Sequence, residues 1–112
     1  MLKLGVIGTG WITKQFVAAA MATKAYQLTA VYSRHQESAQ SFIDSTAPAT
    51  AYTTMDAFLG SDIDVVYIAS PNSLHASQAL AALDADKHVI VEKPLVATTM
   101  EFEKEETFFI SV

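Results

Sequence analysis

Two periodicities alternate along this chain. Residues 2–7 are apolar on both faces apart from Lys3, which predicts a buried strand. Ile12, Phe16, Ala19 and Ala20 then recur at helical spacing, predicting a helix over 11–23. A second strand is expected over 28–32. A helix over 36–44 follows, with Ala39, Phe42 and Ile43 on one face and Pro48 breaking it. Ala51-Tyr52 suits a short third strand. Residues 55–59 suit a short helix capped by Thr53 or Thr54. Val65, Val66, Tyr67 and Ile68 mark the strongest strand, over 63–69. Ser73 can cap a helix whose apolar positions include Leu74, Leu80 and Leu83. Residues 88–91 form the next strand. This alternation places the chain in the α/β class, as a doubly wound parallel sheet with helices on both faces and right-handed crossovers.

Composition narrows the class. The 112 residues suffice for one core, and with half of them apolar the chain is expected to fold. Cysteine is absent, which removes disulfides and thiolate metal sites. The three histidines lack metal-ligand spacing, so no metal is expected. No apolar run is long enough to span a bilayer and no signal-peptide pattern opens the chain, so a soluble cytoplasmic protein with no membrane partner is expected. The net charge of −5 is uneven: residues 1–100 carry −2, while 101–112, with Glu101, Glu103, Glu105, Glu106 and Lys104, carry −3. There is no basic nucleic-acid footprint. A bound anion must be held by local geometry.

Such geometry stands at the first strand's end. Gly8-Thr9-Gly10-Trp11-Ile12-Thr13 fits G-x-G-x-x-(G/A) at its two glycines, with Thr13 in the third place. The first glycine permits the tight turn. The second lets backbone approach a pyrophosphate at the helix N-terminus. Glycines end strands in many proteins, but this pair follows a strand and opens an amphipathic helix. The second strand ends Val31-Tyr32-Ser33-Arg34-His35, without the acid that an NAD site uses to bind ribose hydroxyls. Ser33 can hydrogen-bond a ribose phosphate, and Arg34 can pair with it and stack on adenine, which favours NADP over NAD. The plain alternative for Arg34 is an exposed loop arginine. Trp11 is expected to cover the cofactor or to pack.

Ser70, Pro71, Asn72 and His75 form a polar loop and helix start at the end of the fourth strand, where ligands bind in open parallel sheets. Glu92-Lys93-Pro94 occupies the same end of the next strand, so the two loops should flank a nicotinamide. His75 is expected mainly to pack or cap, with a cofactor-loop role as the alternative. A lysine in a water-poor site would stabilise negative charge developing on oxygen during hydride transfer. Glu92 could orient it or contact ribose.

Three stretches carry a resemblance. They are Gly5-Val6-Ile7-Gly8-Thr9-Gly10-Trp11-Ile12, then Asp62 through Ala69 with Ser70-Pro71-Asn72-Ser73-Leu74-His75, then Ala85-Asp86-Lys87-His88-Val89-Ile90-Val91-Glu92-Lys93-Pro94-Leu95. In this order and spacing, residues 1 to about 100 resemble the N-terminal domain of the glucose-fructose oxidoreductase/inositol dehydrogenase family (Gfo/Idh/MocA). The resemblance implies a Rossmann fold with strand order 3-2-1-4-5. It also implies NAD(P)-dependent oxidation or reduction of sugars, polyols and related hydroxy compounds. It puts Lys93 in the catalytic role, with Glu92 supporting, and Gly8, Thr9, Gly10, Trp11, Ile12, Ser33, Arg34, Ser70, Pro71, Asn72, His75, Glu92, Lys93 and Pro94 at the cofactor. It implies, too, a cis peptide bond before Pro94.

Family members continue through a sheet-rich domain that binds substrate and supplies a catalytic histidine and an acidic partner. Eighteen residues follow Pro94 here. Thr98-x-x-Glu101 has the pattern of a capping box and predicts a helix start, but residues 107–112 turn β-prone and apolar. The expectation is a cofactor domain over 1–100, an atypical acidic and apolar tail over 101–112, no substrate domain, and little turnover alone. The tail is read either as the product of a frameshift or early stop, or as a sixth strand at the sheet edge. Fifteen residues separate Val91 from Thr107, a cramped length for a crossover. Exposed apolar surface and a free edge predict a homodimer or larger assembly. A sugar- or polyol-like substrate is expected only if a second domain is supplied. The rival reading is a non-catalytic nucleotide-binding or interaction module, such as a degraded gene product.

Overall fold

The computed structural model describes residues 1–69, 72–92 and 107–110. The elements are β1 (Leu2–Ile7), α1 (Trp11–Ala22), β2 (Tyr26–Tyr32), α2 (Gln36–Ser45), β3 (Thr50–Tyr52), α3 (Met55–Leu59), β4 (Val65–Ile68), α4 (Asn72–Asp84), β5 (His88–Glu92) and β6 (Thr107–Ile110). The sheet order is β3-β2-β1-β4-β5-β6. The first five strands pair in parallel, in the expected 3-2-1-4-5 order. β6 joins antiparallel, pairing Thr107 with Glu92 and Ile110 with Val89. The sixth strand therefore exists, but its direction corrects the crossover expected of it, since an antiparallel neighbour requires none. No helix among the described residues is long and apolar enough to cross a membrane.

Strand side chains alternate between two cores. Leu4, Val6, Leu28, Val31, Val65, Tyr67 and Ile90 meet Val17 and Ala20 of α1 and Ala39, Phe42 and Ile43 of α2. Ile7, Ala30, Val66, Ile68, Val89 and Val91 meet Phe58 of α3, Ile63, and Ala79 and Ala82 of α4. Every residue of β4 is buried, as a strand covered on both faces requires. Phe16 stacks on Tyr67 with ring centroids 3.8 Å apart and planes 7° off parallel. Such a pair adds about 0.5–1.5 kcal/mol beyond its burial. A register shift against β2 between Leu4 and Gly5 makes Thr29 the extra residue of a bulge. That is why Leu28 and Val31, three apart, share one face.

Two helices face the sheet differently from their apolar spacing. α1 buries Thr13, Val17 and Ala20, while Ile12 and Ala19 turn outward. The reason lies in the glycine turn, which presses the start of α1 against the sheet and leaves room there for a small residue such as Thr13, 1% exposed. α4 buries Ala79 and Ala82, with Leu83 partly buried, while Leu80 is 62% exposed. Small residues let α4 lie close on β4 and β5, so alanines form most of the inner face and, of the three expected leucines, only Leu83 packs against the core. α4 also begins at Asn72, which puts Ser73 inside the helix and not at its cap. α3 starts as expected: the Thr54 hydroxyl accepts from the Ala57 N–H at 3.4 Å.

Candidate cofactor site

The carboxyl ends of β1, β2 and β4 converge on one edge. Gly8 leaves β1 at φ 111°, a conformation that side chains disfavour. Its N–H donates to the Tyr32 carbonyl at 3.3 Å, and the Ala69 N–H donates to the Ile7 carbonyl at 2.9 Å. These bonds hold the three strand ends in register. Gly10 is the N-cap of α1. No side chain caps it, and no acid occupies the first turn. The first N–H groups of α1 are thus left to an outside acceptor, on the positive end of the helix dipole. A Cβ built on Gly10 would meet nothing within 4 Å.

Beside the turn lies a cavity of about 400 Å³. Ile7, Gly8 and Thr9 line it from β1 and the glycine turn. Tyr32, Ser33, Arg34 and His35 line it from the end of β2. Ala69, Leu74 and Gln78 line it from β4 and α4. Ser33 is held in place: its N–H donates to the Tyr52 carbonyl at 3.1 Å, and its hydroxyl accepts from the His35 N–H at 3.4 Å. Arg34 brings the cavity its cation.

Of the residues expected at a cofactor, Gly8, Thr9, Ser33 and Arg34 come together here. Gly10, Trp11 and Ile12 stand on the same edge at the start of α1 but do not line the cavity, and Trp11 is 69% exposed. Asn72 opens α4, His75 lies in its first turn, and Glu92 closes β5. Ser70, Pro71, Lys93 and Pro94, with the peptide bond before Pro94, lie outside the described residues, as do most of residues 101–112. Sequence reasoning passed over Leu74 and Gln78, which also line the cavity. Their signal was the four-residue spacing, which puts both on one helix face next to the polar loop.

An anion cradle beside a cationic, partly apolar slot fits a dinucleotide: the pyrophosphate on the α1 N-terminus, the adenosine half in the slot. Comparison with known proteins points to the same class of ligand, a nicotinamide dinucleotide. Residues 2–106 match the family described as an oxidoreductase family with an NAD-binding Rossmann fold, Gfo/Idh/MocA. The chain is 50% identical over 102 residues to YgjR, an uncharacterized oxidoreductase of Escherichia coli, covering 90% of this chain and 31% of that protein. It is 43% identical over 105 residues to the NADP(+) scyllo-inositol 2-dehydrogenase IolU of Bacillus subtilis, covering 93% and 32%. It superimposes on myo-inositol dehydrogenase from Lactobacillus casei, crystallised with NAD(H) and myo-inositol, with a TM-score of 0.80 and 29% identity, covering 89% and 30%. The chain thus spans about a third of the length of the relatives it matches. It belongs to the Gfo/Idh/MocA oxidoreductase family, of which it carries the N-terminal NAD-binding Rossmann domain.

Proposed function

We propose that this chain binds NADP(H) in preference to NAD(H) and serves hydride transfer to or from a hydroxyl carbon of a sugar or polyol. The observation that carries the reading is the cavity joining Gly8 and Thr9 to Ser33 and Arg34. The bound dinucleotide would supply the hydride acceptor or donor. The chain's own groups do the rest. The N–H groups at the start of α1 hold the pyrophosphate, with Gly10 leaving room for it. Ser33 donates a hydrogen bond to the ribose 2′-phosphate, and Arg34 pairs with it. Lys93, next in sequence after the last residue of β5, supplies an ammonium that steadies charge developing on the substrate oxygen, and Glu92 orients it. Ser70, Pro71, Asn72, His75 and Pro94 stand on the nicotinamide side, and Trp11 and Ile12 contact the cofactor beside the pyrophosphate at the start of α1.

Residues 1–100 act as the cofactor unit, and 101–112 as a segment of separate character. Cysteine-free composition accords with a cytoplasmic location. β6 ends the sheet, and Leu80 and Trp11 leave apolar surface exposed, which supports a homodimer or larger assembly. Sedimentation of the full chain tests the last point.

The cofactor reading is tested by titrating wild-type and Arg34→Ala chains with NADPH and NADH. A charge-assisted hydrogen bond contributes about 1.5–3 kcal/mol. Arg34→Ala should therefore weaken NADPH about ten- to a hundredfold and leave NADH nearly unchanged. Equal losses would refute the phosphate assignment. A panel of polyols and sugars with the bound cofactor tests hydride transfer; binding without turnover would favour a nucleotide-binding module.

A further inference from the structure

The two edges of the sheet are unlike. β3 closes one edge with three residues, and Pro48 stands just before it. Short strands and proline are the usual devices against edge-to-edge pairing. β6 closes the other edge with four residues in unbroken register against β5, from Thr107 beside Glu92 to Ile110 beside Val89. It contains no proline, glycine or charged residue, and Ser111-Val112 keep that character. Such a run is a template for a further strand. Among the described residues no strand pairs with its outer side.

Charge selects the direction a second copy can take. Glu101, Glu103, Glu105 and Glu106, against Lys104 alone, lead directly into Thr107. A parallel copy would set the two Thr107 residues, and the acidic runs bonded to them, about 5 Å apart. An antiparallel copy centred on the strand sets Thr107 opposite Ile110 of the second copy. The two Thr107 residues then lie about 10 Å apart along the strands, beyond the Debye length of about 8 Å in physiological salt. Antiparallel pairing is also what a two-fold axis at the edge generates, and it closes after two chains.

We infer that β6 pairs with β6 of a second copy, antiparallel about a two-fold axis, so that two six-stranded sheets become one. This rests on the homo-oligomer reading above and names its interface. β5 and β4 stand between β6 and β1, so the glycine turn stays clear of the contact.

Sedimentation equilibrium of the full chain tests the contact, with Phe108→Pro and Phe109→Pro as variants. Successive N–H groups of a strand point to opposite sides, so one proline removes an outward donor and the other a donor to β5. The wild type should be a dimer. Each proline should weaken dimerisation about ten- to a hundredfold, because a two-fold contact counts every substitution twice. Affinity for NADPH should not change. Disulfide formation reads the direction, since the chain has no cysteine of its own. Thr107→Cys chains mixed with Ile110→Cys chains should cross-link to each other faster than either does to itself. Thr107→Cys chains that bond faster to their own kind overturn the antiparallel sense. A dimer that survives both prolines overturns the β6 contact and leaves the homo-oligomer reading to another face. A monomeric wild type overturns both, and slow amide exchange of β6 in that monomer would show the edge covered within one chain.

Discussion

Gly8 and Ala69 stand against each other across the ends of β1 and β4: a Cβ on Gly8 would lie 3.1 Å from the Ala69 carbonyl oxygen. The neighbour is backbone, which cannot swing aside. The φ of 111° adds a second penalty. Gly8→Ala should therefore destabilise the fold by about 1–2 kcal/mol or more, read as a lower urea midpoint. Gly10 is the contrast. Its φ is −84°, and the space beyond its Cα is open. Gly10→Ala should leave the unfolding free energy from urea denaturation within about 1 kcal/mol of wild type while weakening dinucleotide binding, because the methyl group fills the pyrophosphate's approach. A Gly10→Ala chain that binds NADPH normally would remove the pyrophosphate from this turn.

A third glycine is constrained by packing alone. A Cβ on Gly5 would lie 2.8 Å from Phe58 Cζ and 2.9 Å from Ile63 Cδ1, both on buried side chains. Phe58 also meets Tyr32 and Tyr52 edge-on or tilted, so its ring has little room to retreat. Gly5→Ala should cost about 1–3 kcal/mol. In a Phe58→Leu background the same change should cost less, because the clashing ring is gone. Chemical denaturation of the four chains of this double-mutant cycle measures the coupling. An unchanged Gly5→Ala cost would show that Ile63 or the strand itself, and not the ring, rejects the methyl group.

α4 ends in a left-handed turn made by an aspartate. Asp86 has φ 64°, its N–H donates to the Leu83 carbonyl at 3.0 Å, and the Lys87 N–H donates to the Ala82 carbonyl at 3.0 Å. This is the Schellman arrangement, where glycine is the preferred residue. An acid there also faces the negative end of the helix dipole. Asp86→Gly should raise stability by about 0.5–1 kcal/mol, seen as a melting temperature higher by about 2–5 °C. A fall in melting temperature would mean that the aspartate side chain makes up for its backbone.

The chain announced some of this structure and concealed the rest for identifiable reasons. Ala39, Phe42 and Ile43 gave the inner face of α2 because the other positions of that helix are polar. α1 and α4 offered no such contrast. Both are rich in alanine, which suits either face, so the helix rotation was set by close approach to the sheet and not by apolar count. The glycine turn and Ser33-Arg34 were legible because each is a short contiguous stretch at a strand end. Leu74 and Gln78 were not, because their place on the cavity depends on how α4 is rotated. The Thr29 bulge and the antiparallel sense of β6 leave no composition signal at all.

The amino-terminal ends of β1 and β4 supply a pH test. Lys3 Nζ pairs with the Asp62 carboxylate, and both side chains are largely solvated. The hydrogen bond and charge of Asp62 raise the Lys3 pKa, and those of Lys3 lower the Asp62 pKa. A raised lysine value means a contribution that is full below lysine's ordinary value of about 10.4 and fades as pH rises through the folded-state value. A lowered aspartate value means a contribution that is full above its ordinary value of about 3.9 and fades as pH falls through the folded-state value. The difference between wild type and Asp62→Asn should therefore be a small plateau across neutral pH. It should close at both extremes and shrink in molar salt. Asp64 offers the comparison, since its carboxylate accepts from the part-buried Lys3 N–H at 2.8 Å. Asp64→Ala should cost about 1–3 kcal/mol, more than Asp62→Asn at every pH on the plateau. Urea midpoints from pH 3 to 11 decide it, and a larger effect at Asp62 than at Asp64 would reverse that order.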